Sequence, residues 1–172
     1  MDTLASVITD RSRRLESRLL AAIAVEYSRQ AGFGAPPRPS VGERTFACVR
    51  RTDSYDVWVI HWGPGSATPM HDHGDSNGAL LVVDGTLVER LPAPDGSGRV
   101  RRKVLRRRAR RLMARNHVHE VANESAAGAT TVHVYSPPLS VMNHYERAEG
   151  VAPRVVHREL IRESRGTHVV VA

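Results

Sequence analysis

Apolar residues recur every three or four positions near the start of the chain. Leu4, Ile8, Leu15, Leu19, Leu20, Ile23 and Tyr27 follow this spacing, with Arg and Glu between them. That period predicts helix over residues 4–30. A break is expected near residues 9–10, where Asp10 can cap the second part. The stretch GFGAPPRPSVG, residues 32–42, is rich in Gly and Pro and predicts a loop. From residue 45 the period shortens to that of strands. TFACVRR and YDVWVIHW are β-branched and aromatic, and TDS joins them as in a hairpin. ALLVVDG and TLVERL come next, split at the turn dipeptide Asp84-Gly85. RVRRKVL, HVHEVAN and TTVHVYSP continue at similar spacing, and VAPRVVHREL is a candidate for one more strand. Many short strands with regular turn residues predict a sandwich or barrel. The expected organisation is one domain over residues 1–172, with a helical segment at 1–31 and a β-barrel over 45–165.

Composition narrows the class. A chain of 172 residues has room for one core. No apolar run approaches the roughly 20 residues of a membrane span, and no secretory h-region is visible. Cys48 is the only cysteine, so no intrachain disulfide can form. A cytoplasmic protein is expected. The net charge of +7 is almost wholly arginine, since Lys103 is the only lysine. Arginines crowd the run RVRRKVLRRRARRLMAR, residues 99–115. That run lacks interleaved aromatics, a long helical stripe and zinc-finger spacing, so nucleic acid is not the expected partner.

The nine histidines carry the candidate chemistry. In a strand, residues two apart share a face. His71 and His73 therefore aim two imidazoles at one point, while Asp72 points outward. Neutral imidazole ligates Zn, Fe, Cu and Ni. Two ligands are too few for a tight site, so a third is expected from elsewhere. Gly65 lies six residues before His71, and Gly85 lies twelve after His73.

With HxH between those glycines, the sequence resembles the first signature of the cupins. It departs at the usual glutamate, where Gly78 or Asn77 stands. His119 followed by Asn123 resembles the second cupin signature, with Ala114 and Asn116 in place of its upstream Pro and Gly. His117 is a weaker candidate for the same ligand. A site of three imidazoles keeps the full +2 charge of a divalent metal and favours an anionic ligand such as a thiolate.

WVIHWGPGSATPMHDHGDSNGALLVVDGTLVER, HEVANES and TTVHVYSPPL together resemble the thiol (cysteine) dioxygenase branch of the cupins, in its bacterial form. The resemblance spans roughly residues 46–140. It implies a mainly β cupin barrel with N-terminal helices. It implies Fe(II) on His71, His73 and His119, and a polar triad of Thr131, His133 and Tyr135. The implied reaction adds both atoms of dioxygen to the sulfur of a small thiol, most simply cysteine to its sulfinic acid. Animal members crosslink that tyrosine to a cysteine, whose position here is Gly78. Members acting on cysteine hold its carboxylate with an arginine on an early strand. Here Phe46 or Cys48 occupies the matching register. Arg44 and Arg50 share its strand parity, and Arg51 is a weaker substitute. Trp58, Trp62 and Leu87 are expected in the wall, and Glu89 on the surface. Two alternatives stand beside this reading: a dioxygenase for 3-mercaptopropionate or another thiol acid, and a non-catalytic metal-binding cupin. Three histidines also suit zinc.

Overall fold

The computed structural model describes residues 14–30, 37–148, 151–161 and 167–171. The expected start of the helical segment, its break at residues 9–10 and residues 32–36 of the Gly- and Pro-rich stretch lie outside these residues. Helix α1 runs Ser17–Arg29. Its apolar stripe buries Leu20, Ala21 and Ala24. That stripe packs on Val57, Val59, Ala79, Leu81, Val132 and Val134, which form one face of the main sheet. Alternation along those strands leaves the opposite face to a second core of Trp58, Trp62, Leu80, Leu105, Met113 and Tyr135.

The strands are β1 (Glu43–Arg51), β2 (Asp56–Trp62), β3 (His71–Asp72), β4 (Asn77–Asp84), β5 (Thr86–Pro92), β6 (Val100–Arg106), β7 (Arg110–Met113), β8 (Glu120–Ala122), β9 (Ala129–Ser136), β10 (Val141–Ala148), β11 (Val151–Leu160) and β12 (Thr167–Val171). A six-stranded sheet has the order β12-β1-β2-β9-β4-β7, and two three-stranded sheets have the orders β11-β10-β3 and β6-β5-β8. The protein is mainly β with a cupin-type arrangement. Its sheets do not close into a continuous barrel among the described residues. The edges there are joined by isolated bridges, Ala67 to Ala122 and His71 to His119, and by single hydrogen bonds such as that from the Thr68 amide to Val121 O at 2.9 Å. The reason is the brevity of β3 and β8, which are two and three residues long.

The turn at Asp84-Gly85 differs from a hairpin. β4 pairs with β9 and β7, whereas β5 pairs with β6 and β8. Gly85 is the corner between two sheets. Its φ is +79°, and a Cβ there would lie 2.7 Å from the carbonyl oxygen of Gly128. Only glycine fits both demands.

β1 and β2 do form the expected hairpin, but the register shifts between Cys48 and Arg50. A bulge of this kind reverses which face later side chains take. Phe46 and Cys48 pack on the Trp58 side, while Val49 packs on the helix side. No helix among the described residues is long and apolar enough to cross a membrane.

Candidate metal centre

β3 is too short to be stable alone, and its neighbours fix it. Asn143 and His144 of β10 pair with Asp72 and His71. On its other side, the backbones of His71 and His119 exchange hydrogen bonds of 2.8 Å in both directions. That exchange brings the imidazole of a distant segment beside the HxH pair. The rings of His71, His73 and His119 have centroids 4.8–5.1 Å apart. One ring nitrogen from each lies within 4.8 Å of the others. All three residues are at most 4% exposed.

The donor set fits a metal ion. His71 Nδ1–H donates to the carbonyl of Pro69 at 2.8 Å, leaving Nε2 with a lone pair. His119 Nδ1 meets Glu89 Oε1 at 3.1 Å. A carboxylate accepts, so Nδ1 carries the proton and Nε2 carries the lone pair. That Nε2 is buried without a hydrogen-bond partner. Burial holds His71 and His73 well below the usual histidine range, and the neighbouring imidazoles add to it. His119 is lowered by burial too, against the opposing pull of Glu89. Neutral imidazoles with an unspent lone pair are what a metal requires.

Glu89 is 0% exposed, not on the surface. It lies beneath His119, ion-paired to Arg111 Nε, with His117 Nε2 at 3.3 Å from Oε1. Burial alone would raise its pKa. Hydrogen bonds from His117 and His119 and the charge of Arg111 prevail, holding it below the ordinary carboxylate range. The signal was in the strand period. Glu89 lies two residues after Leu87, which is also fully buried, so the two share a face. His117 stands with Glu89 and His119 and is not one of the three clustered histidines.

Asp72 does not reach solvent either. It accepts from Tyr145 Oη at 2.6 Å, from Asn143 Nδ2 at 2.8 Å and from the Gly74 amide at 2.8 Å. Those bonds pin the HxH backbone to β10. Asn123, four residues after His119, is a staple of the same kind. Its Nδ2 donates to the carbonyls of Trp62, Gly63 and Ala127. Asn116 stands where cupins place a glycine and adopts φ +57°, which asparagine tolerates better than most residues.

β9 carries Thr131, His133 and Tyr135 on one face, all buried. Tyr135 Oη lies 3.0 Å from His133 Nδ1 and 3.2 Å from His73 Nε2. His133 Nε2 lies 3.0 Å from Thr131 Oγ1. Trp62 extends the line, since its Nε1–H donates to Thr131 Oγ1 at 2.9 Å. This indole, expected only as wall, is therefore part of the polar chain. Burial, with His119 and Arg44 nearby, pushes His133 down to about 3. Burial and the charge of Asp56 raise Tyr135 well above the usual phenol range, with Arg44 pulling the other way.

The arginine candidates separate cleanly. Arg44 is partly buried, with its guanidinium carbon 5.9 Å from the centroid of Trp62, and its charge is felt at His71, His133 and Tyr135. Arg50 follows the bulge, is exposed, and acts on Tyr27 on the helix side. Arg51 donates through Nη2 to the carbonyl of Leu139 at 2.8 Å and lies 3.7 Å from Asp56. Gly78 pairs with Tyr135 across β4 and β9.

A cupin-type sheet arrangement with three converging buried histidines is a cupin fold carrying a group that fits a metal site. The profile described as cysteine dioxygenase type I matches residues 40–148, and the chain belongs to that family. It is 26% identical over 113 residues to cysteine dioxygenase type 1 of Bos taurus, covering 59% of this chain and 54% of that one. It is 26% identical over 107 residues to cysteine dioxygenase type 1 of Homo sapiens, covering 56% and 52%. The chain thus spans about half the length of the curated relatives it matches. The polyketide cyclase RemF of Streptomyces resistomycificus shares the fold, with a TM-score of 0.53 and 15% identity over 70% of this chain and 87% of that one.

Proposed function

We propose that this protein is a thiol dioxygenase that holds Fe(II) on His71, His73 and His119 and oxidises a small thiol acid, cysteine first among them, to its sulfinic acid. The observation that carries the reading is the contact between the metal-type cluster and the β9 chain, through Tyr135 Oη and His73 Nε2 at 3.2 Å. A site that merely stored a metal would have no use for a buried hydroxyl supported by His133, Thr131 and Trp62. The balance is simple. A thiol plus dioxygen gives a sulfinic acid, with both oxygen atoms on sulfur and the four electrons supplied by sulfur alone. When bound, iron supplies the redox chemistry and lowers the thiol's pKa.

The chain's residues do the positioning. Pro69 and Glu89 fix the tautomers of His71 and His119. Tyr135 keeps its proton, because burial raises its pKa, and presents a neutral hydroxyl beside His73. His133 stays neutral and holds that hydroxyl from the other side. Arg44 supplies the guanidinium for the substrate carboxylate, since its charge already reaches Tyr135 and His71. The buried walls keep bulk water away from these groups. The lone, half-buried Cys48 suits a cytoplasmic enzyme.

The test is anaerobic loading with Fe(II), followed by oxygen uptake and mass spectrometry of products from cysteine, 3-mercaptopropionate and other small thiols. A product heavier by two oxygen atoms, formed in step with iron content, is expected. Faster turnover of 3-mercaptopropionate than of cysteine would change the substrate and leave the chemistry. Bound iron without thiol-dependent oxygen uptake would leave a metal-binding cupin, and activity that tracks zinc would reject the reaction.

A further inference from the structure

Apart from Arg111, which pairs with Glu89, the arginine-rich run has no part in the site described above. Apart from Arg101 on β6, its arginines fall into two groups. Arg99, Arg102, Arg111 and Arg115 each lie against a carboxylate: Asp95, Glu124, Glu89 and Asp75. Arg106, Arg107, Arg108 and Arg110 have no ion pair among the described residues. Arg107, Arg108 and Arg110 line one cleft of about 450 Å³, together with Arg29 from the last turn of α1, and the partly buried Val25 and Val83 line it between them. Two acids lie close in sequence to these residues. Glu26 is 3.5 Å from Arg29, and Asp84, exposed, follows Val83.

The arginines are presented by a built turn. The Ala109 amide donates to the Arg106 carbonyl at 2.8 Å. The Arg108 amide donates to Val82 O at 2.8 Å, and the Val82 amide donates to Ala109 O at 3.0 Å. Arg108 sits at φ +70°, a left-handed conformation that glycine or asparagine would adopt at lower cost. A solvated face set only by base composition has no need of arginine at that position. These backbone bonds clamp the turn to β4, beside α1.

We infer that this cleft is an anion site that binds an oligophosphate chain, either free or as part of a nucleoside di- or triphosphate. Planar guanidiniums match phosphate oxygens with paired donors. Several of them around one cleft favour a multiply charged chain over a single carboxylate. The valine floor accepts an apolar moiety attached to that chain. No aromatic residue lines the cleft to stack bases, so a single nucleic-acid strand is the poorer fit. The site lies between α1 and the β6–β7 turn, and it does not depend on the metal or on the proposed reaction.

Calorimetric titration of the full chain with tripolyphosphate, ATP and a short DNA duplex tests it, with two variants of equal charge change. Arg107→Glu with Arg110→Glu alters the cleft. Arg101→Glu with Lys103→Glu alters exposed cations on β6, outside it and without an ion pair among the described residues. Each guanidinium contact to phosphate accounts for about tenfold in affinity or more. The cleft pair should therefore weaken tripolyphosphate binding about 100-fold, and the β6 pair less than about threefold. Tighter binding of ATP than of tripolyphosphate would identify a nucleotide as the source, and equal binding the phosphate chain alone. Failure of the wild type to bind either, equal loss in both variants, or preference for the duplex with equal loss in both would overturn the proposal. A matching thermal melt for both variants excludes unfolding as the cause.

Discussion

The three-histidine group is flanked by two polar supports of opposite kind. On the β5 side, Glu89 is a buried, ionised carboxylate set among Arg111, His117 and His119. On the β9 side, the support is a neutral line from Trp62 through Thr131 and His133 to Tyr135. Glu89 touches the ring nitrogen of His119 that faces away from the cluster, because the other nitrogen is the orphaned one. Tyr135 touches His73 on the ligand cluster itself. A charge behind a ligand sets tautomer and basicity, while a hydroxyl beside a ligand can meet whatever the ligands hold. On the proposed reaction, the same centre divides into a holding side and a working side.

If that division is right, the two sides fail differently. Tyr135→Phe is expected to have the larger effect. Phenylalanine keeps the ring packing and removes the hydroxyl, so iron content should stay at the wild-type level. Turnover should fall about 100-fold, on the scale of other positioned donors at reacting centres. Metal analysis beside steady-state oxygen uptake reads both quantities at once. Unchanged turnover would take Tyr135 out of the reaction and erase the working side.

Glu89→Gln should do the reverse. The amide preserves shape and loses the charge, leaving Arg111 without its carboxylate. Metal affinity should drop about 10- to 100-fold, the usual cost of losing a partner behind a ligating histidine. Turnover per bound iron should change much less. Competition against a chelator gives the affinity, and rates normalised to bound iron give the rest. An equal loss in rate per iron would mean that Glu89 acts in the chemistry, and the contrast would collapse.

Much of this centre was legible in the sequence. The convergence of His71 and His73 follows from strand period, whereas His119 with Asn123 and the Thr131, His133 and Tyr135 set follow from the resemblance to cupin and thiol dioxygenase sequences, with strand period placing the last three on one face. What was not legible depends on partners that alternation does not name. Asp72 alternates away from the ligand face, yet that direction leads to Tyr145 and Asn143 of β10, seventy residues on, and not to water. Arg50 was paired with Arg44 by parity, but the bulge after Cys48 reverses faces, and sequence patterns rarely reveal a bulge. The Asp84-Gly85 turn reads like a hairpin because the residues are right for one. The chain uses them for a corner between sheets, where Gly128 and Ala129 press against Gly85.

Gly78 offers the finest test of how tightly the working side is built. A Cβ at this position would meet Met113 Cε at 2.7 Å and the Tyr135 ring at 3.0 and 3.1 Å. Met113 Cε is the end of a flexible side chain and can move aside. The ring of Tyr135 is held at its hydroxyl by His133 and has less freedom. Gly78→Ala should therefore cost about 1 kcal/mol of stability, the low end for overpacking a core. It should slow turnover only a few-fold, by tilting the ring without removing its hydroxyl. Urea denaturation and oxygen uptake measure the two effects. In the double variant with Tyr135→Phe, the rate penalty of Gly78→Ala should vanish, because it acts through that hydroxyl. A penalty that persists in full would mean that the methyl disturbs something other than Tyr135.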